Sequence, residues 1–200
     1  MNLQDVEVTG IESLYDGFFQ MKRYRLRHKM FDGTWSKTVT REVFERGAVA
    51  AVVPYDPIED TVVLIEQFRP GPMAANFQSP WMVEIVAGIL ESGETPEALA
   101  YRETTEETGG QLNEVIPICN FFMAPGSSTE YCHLLCGRID SRGAGGIHGN
   151  ADEGEDIRVF VEPASDAFAR VTTGEIAGAF SIIALQWLML NRKDLRARWT

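Results

Sequence analysis

Three carboxylates gathered on one short segment have the spacing to do chemistry together. Glu103, Glu106 and Glu107 lie in the run Arg102-Glu103-Thr104-Thr105-Glu106-Glu107-Thr108-Gly109, preceded by Gly88 and Glu94. Residues three and four apart share one face of a helix, so all three acids fall on a common face. Like charges so placed repel one another, and the cluster requires a compensating cation. Arg102 reaches Glu106 at the i, i+4 spacing, yet one arginine does not neutralise three carboxylates. A hard divalent metal with oxygen ligands does, and Mg²⁺ suits a few carboxylates completed by substrate phosphates. The helix is delimited in the sequence. Thr95-Pro96 reads as an N-cap followed by proline at the first helical position. Glu97 sits in the first turn, where the helix dipole favours negative charge. Gly109-Gly110 closes the helix with residues that tolerate left-handed geometry.

The whole pattern, Gly-x5-Glu-x7-Arg-Glu-x-x-Glu-Glu-x-Gly, resembles the Nudix box, the signature of hydrolases that split a nucleoside diphosphate linked to another moiety. A run of charge is ordinarily a solvated helix face, but here seven spaced positions agree at once. Two looser positions depart, since the family usually carries an aliphatic residue where Thr104 and Gly110 stand. Separated stretches narrow the resemblance to the bacterial ADP-ribose pyrophosphatase subgroup. They are Leu14 to Phe19, Arg41 to Gly47, Val63 to Arg69, Pro125 sixteen residues after Gly109, and the acidic run from Gly146 to Ile157. Relatives often carry serine where this chain has Ala124.

The resemblance implies Mg²⁺-dependent hydrolysis of ADP-ribose to AMP and ribose 5-phosphate, with two or more ions and Mn²⁺ able to substitute. Glu103, Glu106 and Glu107 are the implied metal ligands, completed by the Ala87 carbonyl. Arg102, Glu94 and Gly88 hold the ligands in place. Glu153 is the implied general base and Glu155 its partner; the acidic loop alone does not say which carboxylate acts. Phe18, Arg41, Arg69, Pro125 and Glu130 are the implied substrate contacts. Without the resemblance, Phe18 suits a core position, Arg41 and Arg69 suit surface ion pairs, and the acidic loop suits solvent. His148 suits a structural hydrogen bond. Hydrolysis of another nucleoside diphosphate sugar, such as GDP-mannose, is the rival activity. A non-catalytic ADP-ribose sensor is the rival class, disfavoured because every box carboxylate is kept.

Composition sets bounds. The chain has 200 residues, 44% hydrophobic and 24% charged, as in an ordinary globular protein. A net charge of −11 argues against a nucleic-acid partner, and local cations must overcome the same charge if the substrate is a phosphate. No apolar run is long enough to span a bilayer. Cys119, Cys132 and Cys136 complete no zinc pattern and read as reduced thiols, which suits the cytoplasm.

The elements that position the acids follow from patterning. Residues 1–46 read as a small antiparallel β domain, with a hairpin signal at Phe31-Asp32-Gly33-Thr34-Trp35. So small a sheet must pack on the main domain or on a second copy. The resemblance favours the second copy, a homodimer with Phe18 stacking on adenine. Residues 47–200 read as the hydrolase domain. Strands are expected at Ala48 to Val53, Thr61 to Gln67, Val115 to Phe122, Tyr131 to Ile139 and Ile157 to Val161, and Trp81 to Val86 leads into the box. Helices beyond the box are expected at Ser165 to Thr172 and Ile182 to Leu190, the latter ending in a basic tail. Arg69 to Pro80 and Ser141 to Gly154 read as loops. The expected fold class is α/β: a Nudix α/β/α sandwich around a mixed sheet, preceded by the N-terminal β domain.

Overall fold

The computed structural model describes residues 1–150 and 154–200. Two compact units are present, one of Met1–Ala48 with Phe122–Tyr131, the other of Val49–Phe121 with Cys132–Thr200. In the first, strands β1 (Val6–Asp16), β2 (Gln20–His28) and β3 (Val39–Glu45) form an antiparallel sheet in the order β1-β2-β3. The Asp-Gly turn forms where the sequence signals it. Gly33 takes φ 85°, Met30 N–H donates to the Thr34 carbonyl at 2.7 Å, and Lys29 pairs with Trp35. Cross-strand ion pairs lace one face of the sheet: Arg23 with Glu12 and Glu42, and Arg27 with Glu7. The excursion from Phe122 to Tyr131 is bound to the end of β3, because Phe44 donates to Ser127 and accepts from Thr129.

The second unit is built on β4 (Ala48–Asp56), β5 (Thr61–Phe68), β6 (Trp81–Glu84), β7 (Val86–Ile89), β8 (Leu112–Phe122), β9 (Tyr131–Ile139), β10 (Gly146–His148) and β11 (Ile157–Pro163). They form an eight-stranded mixed sheet in the order β10-β11-β5-β4-β9-β8, with β6 on β5 and β7 on β4. β4 pairs with β5 only at Tyr55–Val62 and Asp56–Thr61, beside their connecting turn. Beyond it the two strands diverge. β7 joins β4 through Val49–Ile89 to Val52–Val86, and β6 joins β5 through Ile65–Glu84 to Phe68–Trp81. The stretch from Trp81 to Val86 that leads into the box is therefore broken at Ile85, where the chain passes from one arm to the other.

Helices α1 (Pro70–Ala74), α2 (Pro96–Thr108), α3 (Ala164–Thr173) and α4 (Ala179–Trp199) complete the unit. Strand alternation divides the core. Val52, Val63 and Ile65 pack with Ala100 of α2, whereas Val53, Tyr55 and Leu64 pack with Ala167, Leu185 and Leu188 of α3 and α4. Three elements differ from the sequence reading. Pro70 and Pro72 fall early enough in α1 to be tolerated, so a helical turn forms in an expected loop. The glycine-rich stretch contributes β10 to the sheet edge. The basic tail after Leu190 continues α4 to Trp199, which is 3% exposed.

The extension of α4 has an electrostatic cause. Asp60, in left-handed backbone geometry at φ 61°, accepts from Tyr55 Oη at 2.7 Å, from Arg192 Nε at 2.6 Å and from Arg196 Nη1 at 3.0 Å. Burial opposes the charge on Asp60, but Arg192, Tyr55 and Arg196 outweigh it and hold the carboxyl below its ordinary range. Two cations that would otherwise fray the helix into solvent are thereby tied to the β4–β5 turn. Asp60→Ala is expected to lower unfolding free energy by about 1–3 kcal/mol, since the arginines retain partial solvent access. Asp60→Asn, which tolerates the backbone geometry, should cost less. Urea denaturation midpoints check both values.

Candidate active site

The acidic helix forms as its punctuation dictates. Thr95 caps α2 by accepting from Ala98 N–H at 3.1 Å, and Gly109 ends it at φ 67°. Alanine or a larger residue at Gly109 would also crowd His148, since a Cβ there would stand 2.7 Å from the imidazole Cε1. His148 itself makes a structural bond, Nε2 to the Gly145 carbonyl at 3.0 Å.

Arg102 organises the cluster. It forms two bonds to Glu94, from Nε at 2.9 Å and from Nη2 at 3.1 Å, while Nη1 reaches Glu103 at 2.9 Å and Glu106 at 3.0 Å. The Arg102 guanidinium holds Glu94 below its ordinary range, and these carboxylates in turn make Arg102 more basic still. Glu103 turns toward β7. A Cβ on Gly88 would stand 1.9 Å from Glu103 Oε1, so only glycine lets the strand approach this carboxylate. Burial raises the Glu103 carboxyl, Arg102 opposes that, and Glu106 and Glu155 add to it.

Glu107 is placed differently. It is 4% exposed, it has no arginine of its own, and its Oε2 is buried without a hydrogen-bond partner. Burial, reinforced by the charges of Glu103 and Glu155, pushes its carboxyl up to about 8, against the smaller opposing effects of Arg69 and the Ala87 N–H. Arg69 lies at the end of β5, where Nε donates to Glu84 Oε2 at 2.7 Å. Glu155 is bonded to Asn150, its N–H donating to the Asn150 carbonyl at 3.0 Å and its carboxylate accepting from Asn150 N–H at 3.3 Å. The second unit thus gathers Ala87, Gly88, Glu94, Arg102, Glu103, Glu106, Glu107, Arg69 and Glu155 about α2 and its acids. Glu153 lies outside the described residues.

Phe18, Arg41, Pro125 and Glu130 belong to the first unit. Phe18 is 84% exposed and edges onto Phe19. Arg41 donates from Nη1 to the Thr40 carbonyl at 2.8 Å. Pro125 stands in a turn closed by Ser127 N–H and Ser128 N–H on the Ala124 carbonyl, and Glu130 pairs with Arg46 at 3.5 Å. Glu84 went unrecognised in the sequence, although its place one strand away from Arg69 gives that arginine its anchor.

A divalent cation fits the chemistry of this donor set. Among the described residues no three His, Cys, Asp or Glu side chains form a closed metal cage. The acids instead act on one another through charge, with one buried oxygen of Glu107 unspent, as suits an ion that takes its remaining ligands from water and substrate. A pH dependence follows. In metal-free protein, Glu107 titrates near 8, against an ordinary value of 4.5. Its contribution to stability is full below the unfolded-state value and is lost as pH rises through the folded one. The wild type in chelator is expected to lose thermal stability relative to Glu107→Gln between pH 5 and about 8, with Mg²⁺ restoring it. Paired melting curves across that range measure the difference.

The model of the NUDIX domain matches residues 34–189. The ADP-ribose pyrophosphatase of Escherichia coli strain K12 is 45% identical over 195 residues, covering 98% of this chain and 93% of that protein. That of Haemophilus influenzae is 43% identical over 198 residues, covering 98% and 91%. The GDP-mannose pyrophosphatase of Citrobacter koseri is 35% identical over 188 residues, covering 92% and 95%. A solved structure described as an ADP compounds hydrolase superposes with a TM-score of 0.72 at 17% identity, covering 100% of this chain and 98% of that one, a likeness of fold. ADP-ribose pyrophosphatases of this kind generally use a divalent metal. The acidic helix, the glycine that admits Glu103 and the sequence relationship agree, and the chain belongs to the NUDIX domain family.

Proposed function

We propose that this protein is a pyrophosphohydrolase that cleaves ADP-ribose to AMP and ribose 5-phosphate. The observation that carries the reading is Glu107, buried with an unspent oxygen beside Glu103 in a chain 45% identical to ADP-ribose pyrophosphatases. In the reaction, water attacks one phosphorus, the bridging P–O bond breaks, and the water's proton leaves to a carboxylate base. Glu103, Glu106 and Glu107, with the Ala87 carbonyl, would hold Mg²⁺, two or more ions, with Mn²⁺ as a substitute. When bound, the metal supplies positive charge to the diphosphate. Arg102 and Glu94 keep the acids in register, and Gly88 keeps the strand close to Glu103. Arg69 offers a guanidinium to the diphosphate. Glu153 acts as the base, assisted by Glu155, whose charge already reaches Glu103 and Glu107.

The first unit supplies the remaining contacts in this reading: Phe18 stacks on adenine, Arg41 and Glu130 set base and sugar preference, and Pro125 shapes the turn beside them. It also supports a homodimer, because Phe18, Phe31 and Ile11 are 84%, 99% and 60% exposed. Residues 1–46 would serve as the dimerisation and adenine domain, and 47–200 as the hydrolase domain. Cys119, Cys132 and Cys136 are thiols outside any disulfide, which suits a cytoplasmic enzyme. No described helix is long and apolar enough to cross a membrane.

A panel of ADP-ribose, sugar nucleotides and dinucleotides, ranked by kcat/KM with Mg²⁺, should place ADP-ribose first. A preference for GDP-mannose would move the protein to the other branch of its relatives, and binding without AMP release would make it a sensor. Glu107→Gln should retain its fold and lose kcat by about a thousandfold or more; a near-normal rate at saturating Mg²⁺ removes Glu107 from the reaction. Light scattering should return twice the 22.3 kDa chain mass at assay concentration. A fully active monomer would exclude the shared adenine site.

A further inference from the structure

One buried polar side chain at this end of the sheet is left short of a hydrogen bond. Gln67 is 5% exposed, and its carboxamide Nε2 is buried with no hydrogen-bond partner. A buried amide left unpaired is destabilising, whereas an apolar side chain of the same shape is tolerated there. Retaining such a group calls for an acceptor that arrives from outside the fold.

Its position says which acceptor. Side chains alternate along β5, so Gln67 lies on the same face as Ile65 and Arg69. Ile65 packs with Val86 and with Ala100 of α2, which makes this the face turned to the acidic helix. Arg69 continues the extended backbone at φ −127° and ψ 123°, and its charge favours the ionised form of Glu107. Gln67 stands between these two, opposite Met82 in register and one step from the Ile65–Glu84 pair whose Glu84 anchors Arg69. The strand end therefore carries a buried donor on the same face as a guanidinium that acts on Glu107. Glu107 Oε2, itself buried and unpartnered, is not bonded to that donor. An amide suits this place for a chemical reason. A lysine would be captured by Glu103, Glu107 or Glu155, and a further carboxylate would repel both them and the substrate. A carboxamide donates without a charge and does not titrate.

We propose that Gln67 is a substrate-positioning residue whose Nε2 donates to a non-bridging diphosphate oxygen beside Arg69. This rests on reading the site as a diphosphate site, and it adds a neutral donor to the charged groups already described. Gln67→Leu removes the donor at similar volume, and Gln67→Met serves if leucine unfolds the chain. Each variant is compared with wild type for its melting temperature, for kcat/KM on ADP-ribose, and for calorimetric binding of α,β-methylene ADP-ribose and of inorganic pyrophosphate with Mg²⁺. The expected result is a melting temperature equal to or above wild type. Both affinities and kcat/KM should fall about ten- to a hundredfold, as for loss of one hydrogen bond to a charged group. A variant that melts lower while binding both ligands as wild type does would overturn the proposal and make the amide structural. If wild-type protein binds pyrophosphate but not the ADP-ribose analogue, the choice of ADP-ribose has failed, and the pyrophosphate comparison still decides the role of Gln67.

Discussion

The Arg102 guanidinium bonds at once to Glu94, Glu103 and Glu106, and the rest of the site depends on that arrangement. Like-charged carboxylates on one helix face would otherwise turn outward to water, which separates them at little cost. The guanidinium fixes two of them, Glu103 and Glu106, and ties both to Glu94 from the turn ahead of the helix with its planar fork. Glu107, one helical turn on from Glu103, is left without a cation of its own while burial disfavours its charge. The molecule therefore stores an unsatisfied demand for positive charge at one buried oxygen. β7 brings its backbone against the same carboxylates because Gly88 has no side chain to obstruct Glu103.

What the sequence made legible was local and covalent in origin. Thr95, Pro96 and Gly109 mark both ends of α2 because caps and left-handed termini depend on nearby residues only. The Asp-Gly turn of the first unit formed for the same reason. The less legible features depend on distant partners. The charged residues after Leu190 resemble a frayed tail until Asp60, more than a hundred positions away in the chain, binds Arg192 and Arg196. The break at Ile85 has no turn residue to announce it, since it arises where two strands separate. Glu84 and Gln67 look like ordinary strand residues, and only the register of β5 with β6 sets them beside Arg69.

The same contrast applies to the substituted box positions. Thr104 is fully buried with an unpartnered Oγ1, where an aliphatic residue would pack without a polar cost. Gly110 is close to Ile139, whose Cδ1 would lie 2.8 Å from a Cβ at that position. That atom is the far end of a flexible side chain, and the two departures from the family pattern leave every acid in place.

The divergence of β4 and β5 has a consequence for how such a protein changes over generations. β7, which carries Ala87 and Gly88, is secured to β4, whereas β6 and the arginine-bearing strand end are secured to β5. Two prongs of one fork therefore carry separable tasks, one holding the backbone beside the acids and the other presenting Arg69, Gln67 and the loop that follows. If Arg69 and Gln67 meet the diphosphate as proposed, mutations along the β5 prong would alter which diphosphate is accepted while the acid-bearing helix and its glycine stay as they are. A fold so divided would let selectivity drift without each new preference requiring the reaction centre to be reinvented.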